Sequence, residues 1–184
     1  RGIPVGIRDD GMNSLTAAFL IPHSGGKHTE GVYSSAVGIN GEGNKIVCHT
    51  AELLEVHVAR DDKIYYQRFE SNDEGARAIT EVQSTPQSIS DKGRTGTAID
   101  YKPDPKVYGD IFIDIDKLRE MVKNMSLFSK GLKFIINIDG EEVDVDGVST
   151  EFTYERSYSA VNEYRFEVFA DGQSVDYVVV KIVE

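Results

Sequence analysis

SSAVGINGEGNK, residues 34–45, sets glycines at 38, 41 and 43 directly ahead of Ile46, Val47 and Cys48. A glycine-rich loop that feeds a helix makes a good anion site, because unpaired backbone N–H groups and the positive end of the helix dipole point to one place. Glu42, in the middle of the stretch, argues the other way, since a carboxylate beside an anion is costly unless it faces solvent or meets a cation. The stretch is either a phosphate cradle or a simple turn, and its surroundings must decide.

The 184 residues suit one ordinary domain, or one domain and part of a second. A hydrophobic content of 40% with 28% charged residues is that of a soluble globular protein, and no apolar run has the length of a membrane span. Arg1-Gly2-Ile3-Pro4 leads straight into mixed sequence without the form of a signal peptide, so the expected compartment is cytoplasmic, with no membrane partner. Cys48 is the single cysteine, which excludes an internal disulfide framework and a multi-cysteine zinc site. Thirty-one acids against twenty bases give a net charge of −11, unfavourable to nucleic acid without a local basic patch, and none is visible. His23, His28, His49 and His57 lack the paired spacing of a metal site and read as ordinary surface or core residues.

Along the chain, Met12, Leu15, Ala18 and Phe19 fall near helical spacing, with Asp9 or Asp10 as the cap and Pro22 as the stop. HSGGKHTEGVYSS follows as a long loop. A second helix is predicted from Gly43 through NKIVCHTAELL, with Ile46, Val47, Ala51 and Leu54 on one face. LEVHVAR and KIYYQRFE, split by Asp61-Asp62, predict a hairpin. Residues 71–76 read as a polar connection, 77–83 as a strand, 84–93 as a loop and RTGTAIDYK as a strand. PDPKVYGD is a breaker, DIFIDID alternates like a strand, and Leu118, Met121, Val122 and Met125 predict an amphipathic helix. LKFIINI and EEVDVD flank Asp139-Gly140, a strong hairpin signal, and EFTYER, NEYRFEVFA and SVDYVVVKIV read as further strands.

Four separated pieces then settle the glycine stretch. RGIPVGI (1–7), PHSGGKHTEGVY (22–33), VGINGEGNK (37–45) and GRTGTAIDYKPDP (93–105) resemble, in order and spacing, the ATPase region of type IIA DNA topoisomerase B subunits, the gyrase B and topoisomerase IV group. FSKGLKFIINIDG and YRFEVFADGQSVDYVVV resemble the end of that ATPase domain and the entry to the transducer domain that follows it. The resemblance implies an α/β (two-layer α+β) GHKL, or Bergerat, fold, with helices on one face of a mixed sheet. It implies a partial ATPase domain over 1–148 and the start of a transducer over 149–184.

By the same resemblance, ATP with Mg²⁺ is the expected cofactor. Lys27 and Tyr33 correspond to lid residues facing the nucleotide, and Gly38, Ile39, Asn40, Gly41, Glu42, Gly43 and Asn44 to the phosphate loop. Gly2 and Pro4 correspond to the adenine-side loop, and Thr97 to a hydroxyl near the adenine, although a strand threonine chosen for β propensity is nearly as good a reading. Implied partners are a second copy of the ATPase domain, a topoisomerase A-type subunit, and DNA held mainly by other parts of the protein. The family's activating glutamate, magnesium-binding asparagine and adenine-reading aspartate precede its RGIP motif, and its transducer lysine follows. They are therefore expected upstream of Arg1 and beyond Glu184, so no catalytic residue or metal ligand is assigned within the chain.

Three positions depart from the family pattern. Val37 stands where a glycine is usual, Ser34 where a basic lid residue is usual, and Glu42 where an apolar or aromatic residue is usual. Two readings follow: the ATP-binding region of a DNA strand-passing enzyme driven by ATP-dependent dimer closure, or a divergent GHKL-fold interaction module with weak nucleotide binding.

Overall fold

The computed structural model describes residues 2–24, 42–109, 114–128, 132–138, 141–142, 153–154, 163–171 and 175–183. In chain order these form α1 (Ser14–Leu20), α2 (Gly43–His49), β1 (Ala51–Arg60), β2 (Lys63–Asn72), β3 (Gly75–Ala78), β4 (Gln83–Pro86), β5 (Thr95–Pro103), α3 (Pro105–Tyr108), α4 (Ile115–Phe128), β6 (Leu132–Ile138), β7 (Glu141–Glu142), β8 (Thr153–Tyr154), β9 (Glu163–Asp171) and β10 (Val175–Val183). The described strands make one mixed sheet in the order β3-β2-β1-β5-β9-β10-β6-β7-β8, with β4 also on β2. β6 runs parallel to β10 and to β8, and the other pairings are antiparallel. β9 and β10, at the predicted entry to a second domain, hydrogen-bond into this same sheet beside β5.

Helix α1 is shorter than its apolar spacing predicts, and neither aspartate caps it. Asn13 is the cap, its side-chain oxygen accepting from the Leu15 amide at 2.8 Å, while Asp10 instead accepts from the Met12 amide in the preceding turn. Gly11, at φ +80°, makes that turn, and an isolated bridge between Ile7 and Asn13 closes it. The helix stops at Ile21, whose extended conformation is the one imposed on a residue before proline.

Helix α2 also ends early, at His49, where the sequence predicts a helix through Leu54. From Ala51 onward the chain forms β1, because Leu54, Val56 and Val58 alternate into the core while both edges of the strand are paired, to β2 and to β5. Pairing with β5, joined by β2 from Leu54 onward, outweighs the helical propensity of AELL. Early termination also changes the buried face of α2. Lys45 and Cys48 turn inward, whereas Ile46 is 60% exposed and Val47 partly so.

The core lies between α1, α2 and the near face of β1 and β2. Leu15, Phe19, Cys48, Ala51, Leu54, Val56, Val58 and Phe69 form its buried cluster. Phe19 and Phe69 meet with ring centroids 5.4 Å apart at a tilted angle, a favourable aromatic geometry. Burial pushes the Cys48 thiol up to about 12, so it packs as a small apolar residue.

The hairpin predicted at Asp61-Asp62 is present. Both aspartates have positive φ, 52° and 57°, as a two-residue turn matching the twist of the flanking strands requires. Beyond it, β2 runs to Asn72, through what reads in sequence as a connection, and the expected strand over 77–83 is split. Thr80 interrupts it by taking over a ladder bond: its hydroxyl accepts from the Arg68 amide at 3.0 Å, while its carbonyl accepts from the buried Gln67 side chain at 3.1 Å. The remainder returns as β4, inside the predicted loop over 84–93.

PDPKVYGD contains the short α3, capped by Asp104 and begun by Pro105, as well as the expected break at Gly109. Residues 110–113 of the DIFIDID strand lie outside the described residues, and Asp114 accepts from the amides of Asp116 and Lys117 to open α4. Val122 is buried on α4, but Met121 and Met125 of its predicted apolar face are exposed. β6 and β7 pair as the Asp139-Gly140 signal predicts, with the two turn residues outside the described set.

Phe69→Ala is expected to lower the free energy of unfolding by about 3–5 kcal/mol in urea denaturation, and a loss below about 1 kcal/mol would contradict its place in the core. Iodoacetamide at about pH 8 is expected to leave native Cys48 unmodified and to label it once urea unfolds the chain.

Candidate functional site

The chain's first described residues pack across β1 and β5 at one end of the sheet. A Cβ on Gly2 would lie 2.6 Å from both the Gly96 carbonyl oxygen and Val58 Cγ1, and 2.9 Å from the Ala59 carbonyl oxygen. Only glycine fits that contact. Arg60 Nη1 donates to the Gly2 carbonyl at 3.2 Å, and the Ile3 amide donates to Thr97 Oγ1 at 3.1 Å. The RGIP and TGT segments, remote in sequence, are thus joined by a hydrogen bond.

Thr97 stands opposite Val58 in the β1–β5 register. Directly paired residues project to the same side of a sheet, so Thr97 shares the face on which α1 and α2 pack. Its hydroxyl accepts from Ile3 and still has a proton to donate. Pro4 is exposed beside it, while Ile3 and Val5 pack against the core. Asn13 holds the segment from the other end, its Nδ2 donating to the Val5 carbonyl at 2.8 Å while its oxygen caps α1. Sequence reasoning missed that double role, although asparagine just before an apolar helical run was a usable signal.

Glu42 resolves the objection raised by its charge. Its Oε1 accepts from the His23 amide at 3.1 Å and lies 3.5 Å from His23 Nδ1. The carboxylate is therefore directed to the end of the α1 segment and makes no side-chain cap on α2. His23 adopts φ 55°, unusual for a residue with a Cβ, in presenting its amide to Glu42. Gly43 and Asn44 are exposed at the start of α2, and open space surrounds the position of a Gly43 Cβ. Lys27, Tyr33, Gly38, Ile39, Asn40 and Gly41 lie outside the described residues. Lys45, missed from the sequence, is 6% exposed in the first turn of α2, on the side of Cys48.

No protein-family profile matches the chain. The DNA gyrase B protein of Thermotoga maritima is 34% identical over 145 residues, which covers 77% of this chain and 22% of that protein. The gyrase B protein of Streptococcus pneumoniae (TIGR4) is 27% identical over 97% of this chain and 28% of its own length. The DNA topoisomerase 4 B protein of Enterococcus faecalis is 29% identical over 77% of this chain and 20% of its own length. The chain thus spans between a fifth and three tenths of these relatives. In fold it is similar to the 43K ATPase domain of Thermus thermophilus gyrase B, solved with an aminocoumarin, with a TM-score of 0.51 and 22% identity over 68% of this chain and 29% of that one. With sequence relatives across most of its length, the chain is a homologue of the DNA gyrase B and topoisomerase 4 B proteins, and it shares the fold of the gyrase B 43K ATPase domain.

Proposed function

We propose that this chain provides the ATP-binding surface of a type II DNA topoisomerase of the gyrase B kind. The observation that carries the reading is the Ile3 to Thr97 hydrogen bond beneath the Gly2 contact, which unites the two adenine-side motifs on the helix-bearing face of a gyrase B-like sheet. Thr97 and the Gly2–Pro4 segment would border the base. Gly38 to Asn44 would hold the phosphates through backbone N–H groups, and Lys27 and Tyr33 would close over them. The donor set fits an anionic ligand, since Glu42 is engaged by His23 and Gly43 is unobstructed. That orientation removes one ground for reading the chain as a module without nucleotide.

Mg²⁺ would arrive with the triphosphate and screen its charge. Residues 1–148 would form the body of the nucleotide domain, and 149–184 the passage toward the transducer, with β9 and β10 still bonded into the sheet. ATP binding would favour a closed homodimer, whose reopening drives strand passage together with a topoisomerase A-type subunit and with DNA gripped elsewhere. The setting is cytoplasmic, and among the described residues no helix is long and apolar enough to cross a membrane.

Isothermal titration of the chain with a non-hydrolysable ATP analogue and Mg²⁺ is expected to give one site per chain, with Lys27→Ala weakening it at least about tenfold through loss of a charged hydrogen bond. Absence of binding would favour the interaction-module reading. Thr97→Val is expected to cost about 1–3 kcal/mol in urea denaturation, because the Ile3 amide loses its acceptor, and to weaken the analogue. Thr97→Ser should restore both, and a Thr97→Val protein equal to the parent in both would remove Thr97 from the site.

A further inference from the structure

The far face of β1 presents a second constellation, turned away from α1 and α2. Leu54, Val56 and Val58 point into the core, so Glu55 and His57, which alternate with them, project to the opposite side. Asp100 on β5 stands directly opposite Glu55 in register. Two carboxylates face to face across neighbouring strands form a negative locus that a cation can join alongside Arg68. One donor of Glu55, one of His57 and one of Asp100 all lie within 4.8 Å of one another. His57 Nε2 and Asp100 Oδ2 are 3.5 Å apart, close to the separation of about 3.3 Å between two donors on one tetrahedral zinc.

We propose that Glu55, His57 and Asp100 form a binding site for a divalent transition-metal ion on the sheet face opposite the helices. One imidazole with two carboxylates is a donor set that suits Zn²⁺, Co²⁺ or Ni²⁺ better than Mg²⁺, which prefers oxygen ligands alone and keeps its water. A dication also neutralises the two carboxylates. The donors come from the central strands β1 and β5, so the backbone ladder fixes their spacing before any metal arrives.

The neighbouring side chains fit this use. Tyr66 donates to Glu55 Oε1 at 2.6 Å, and its ring lies against His57 with centroids 4.9 Å apart, which restrains two of the three ligands. Burial, then the bond to Glu55, pushes the Tyr66 phenol up to about 12, so it remains a donor at neutral pH. Arg68 is the competing cation, 3.5 Å from Glu55 Oε1 and 3.2 Å from Glu70 Oε1. Both the Tyr66 and Arg68 contacts fall on Oε1, a carboxylate has a second oxygen for a metal, and Glu70 keeps Arg68 paired. In backbone register Arg165 of β9 stands opposite Asp100.

The test is titration of the full chain, stripped with EDTA, with Zn²⁺ by calorimetry and with Co²⁺ by visible absorption. One equivalent is expected to bind, with low-symmetry Co²⁺ bands displaced by Zn²⁺ but not by excess Mg²⁺. His57→Ala and Asp100→Asn are each expected to weaken Zn²⁺ at least about tenfold, while His49→Ala leaves it unchanged. Circular dichroism checks folding, and His57→Gln takes the place of His57→Ala if the latter does not fold. Failure to bind one equivalent, or binding that survives both ligand substitutions, overturns the site. ATP-analogue affinity is read separately, so loss of either site leaves the other measurable.

Discussion

Strand β1 is constrained on three sides at once: β2 bonds one edge, β5 bonds the other, and α1 with α2 covers one face. Ladder bonds on both edges leave almost no backbone freedom between Leu54 and Ala59, and the alternation of side chains follows. One set of positions becomes the core, and the intervening set becomes an ordered polar surface. Because β5 is registered on β1, Thr97 is carried to the helix-bearing face while Asp100 is carried to the other. The Thr97 surface and the Glu55, His57 and Asp100 cluster are therefore two outcomes of one register, and a slip by a single residue would exchange them.

What the sequence made legible was whatever depended on local chemistry. The Asp61-Asp62 turn between alternating runs could be read directly, since few residue pairs accept positive φ and the strands on either side kept period two. The strand nature of RTGTAIDYK was equally readable. AELL was not, because its residues suit a helix and only pairing with β5, joined at Leu54 by β2, makes them β1. The Asn13 cap was missed for a related reason: two aspartates nearby offered the same capping chemistry, and the Gly11 turn that assigns Asp10 to Met12 is visible only in three dimensions.

The site divides in the same way. Motif order carries the resemblance and nominates Gly2, Pro4, Glu42, Gly43, Asn44 and Thr97, while contacts give Gly2, Glu42 and Thr97 their surroundings. Glu42 reads in sequence as a misplaced charge and in space as the partner of His23. His57 reads as an isolated histidine because Asp100, which completes its cluster with Glu55, is brought beside it only by sheet register.

Thr80 has an effect on how the molecule meets other molecules. By accepting the Arg68 amide on its hydroxyl and the Gln67 side chain on its carbonyl, it divides the outer border of the sheet into β3 and β4, two pieces of four residues each, the second closing on Pro86. A long unbroken border would be a template on which another chain could lay its own strand. A border cut short at the middle and finished with proline offers no long register for that addition, so the threonine that bonds to β2 also works against edge-to-edge strand pairing along this border.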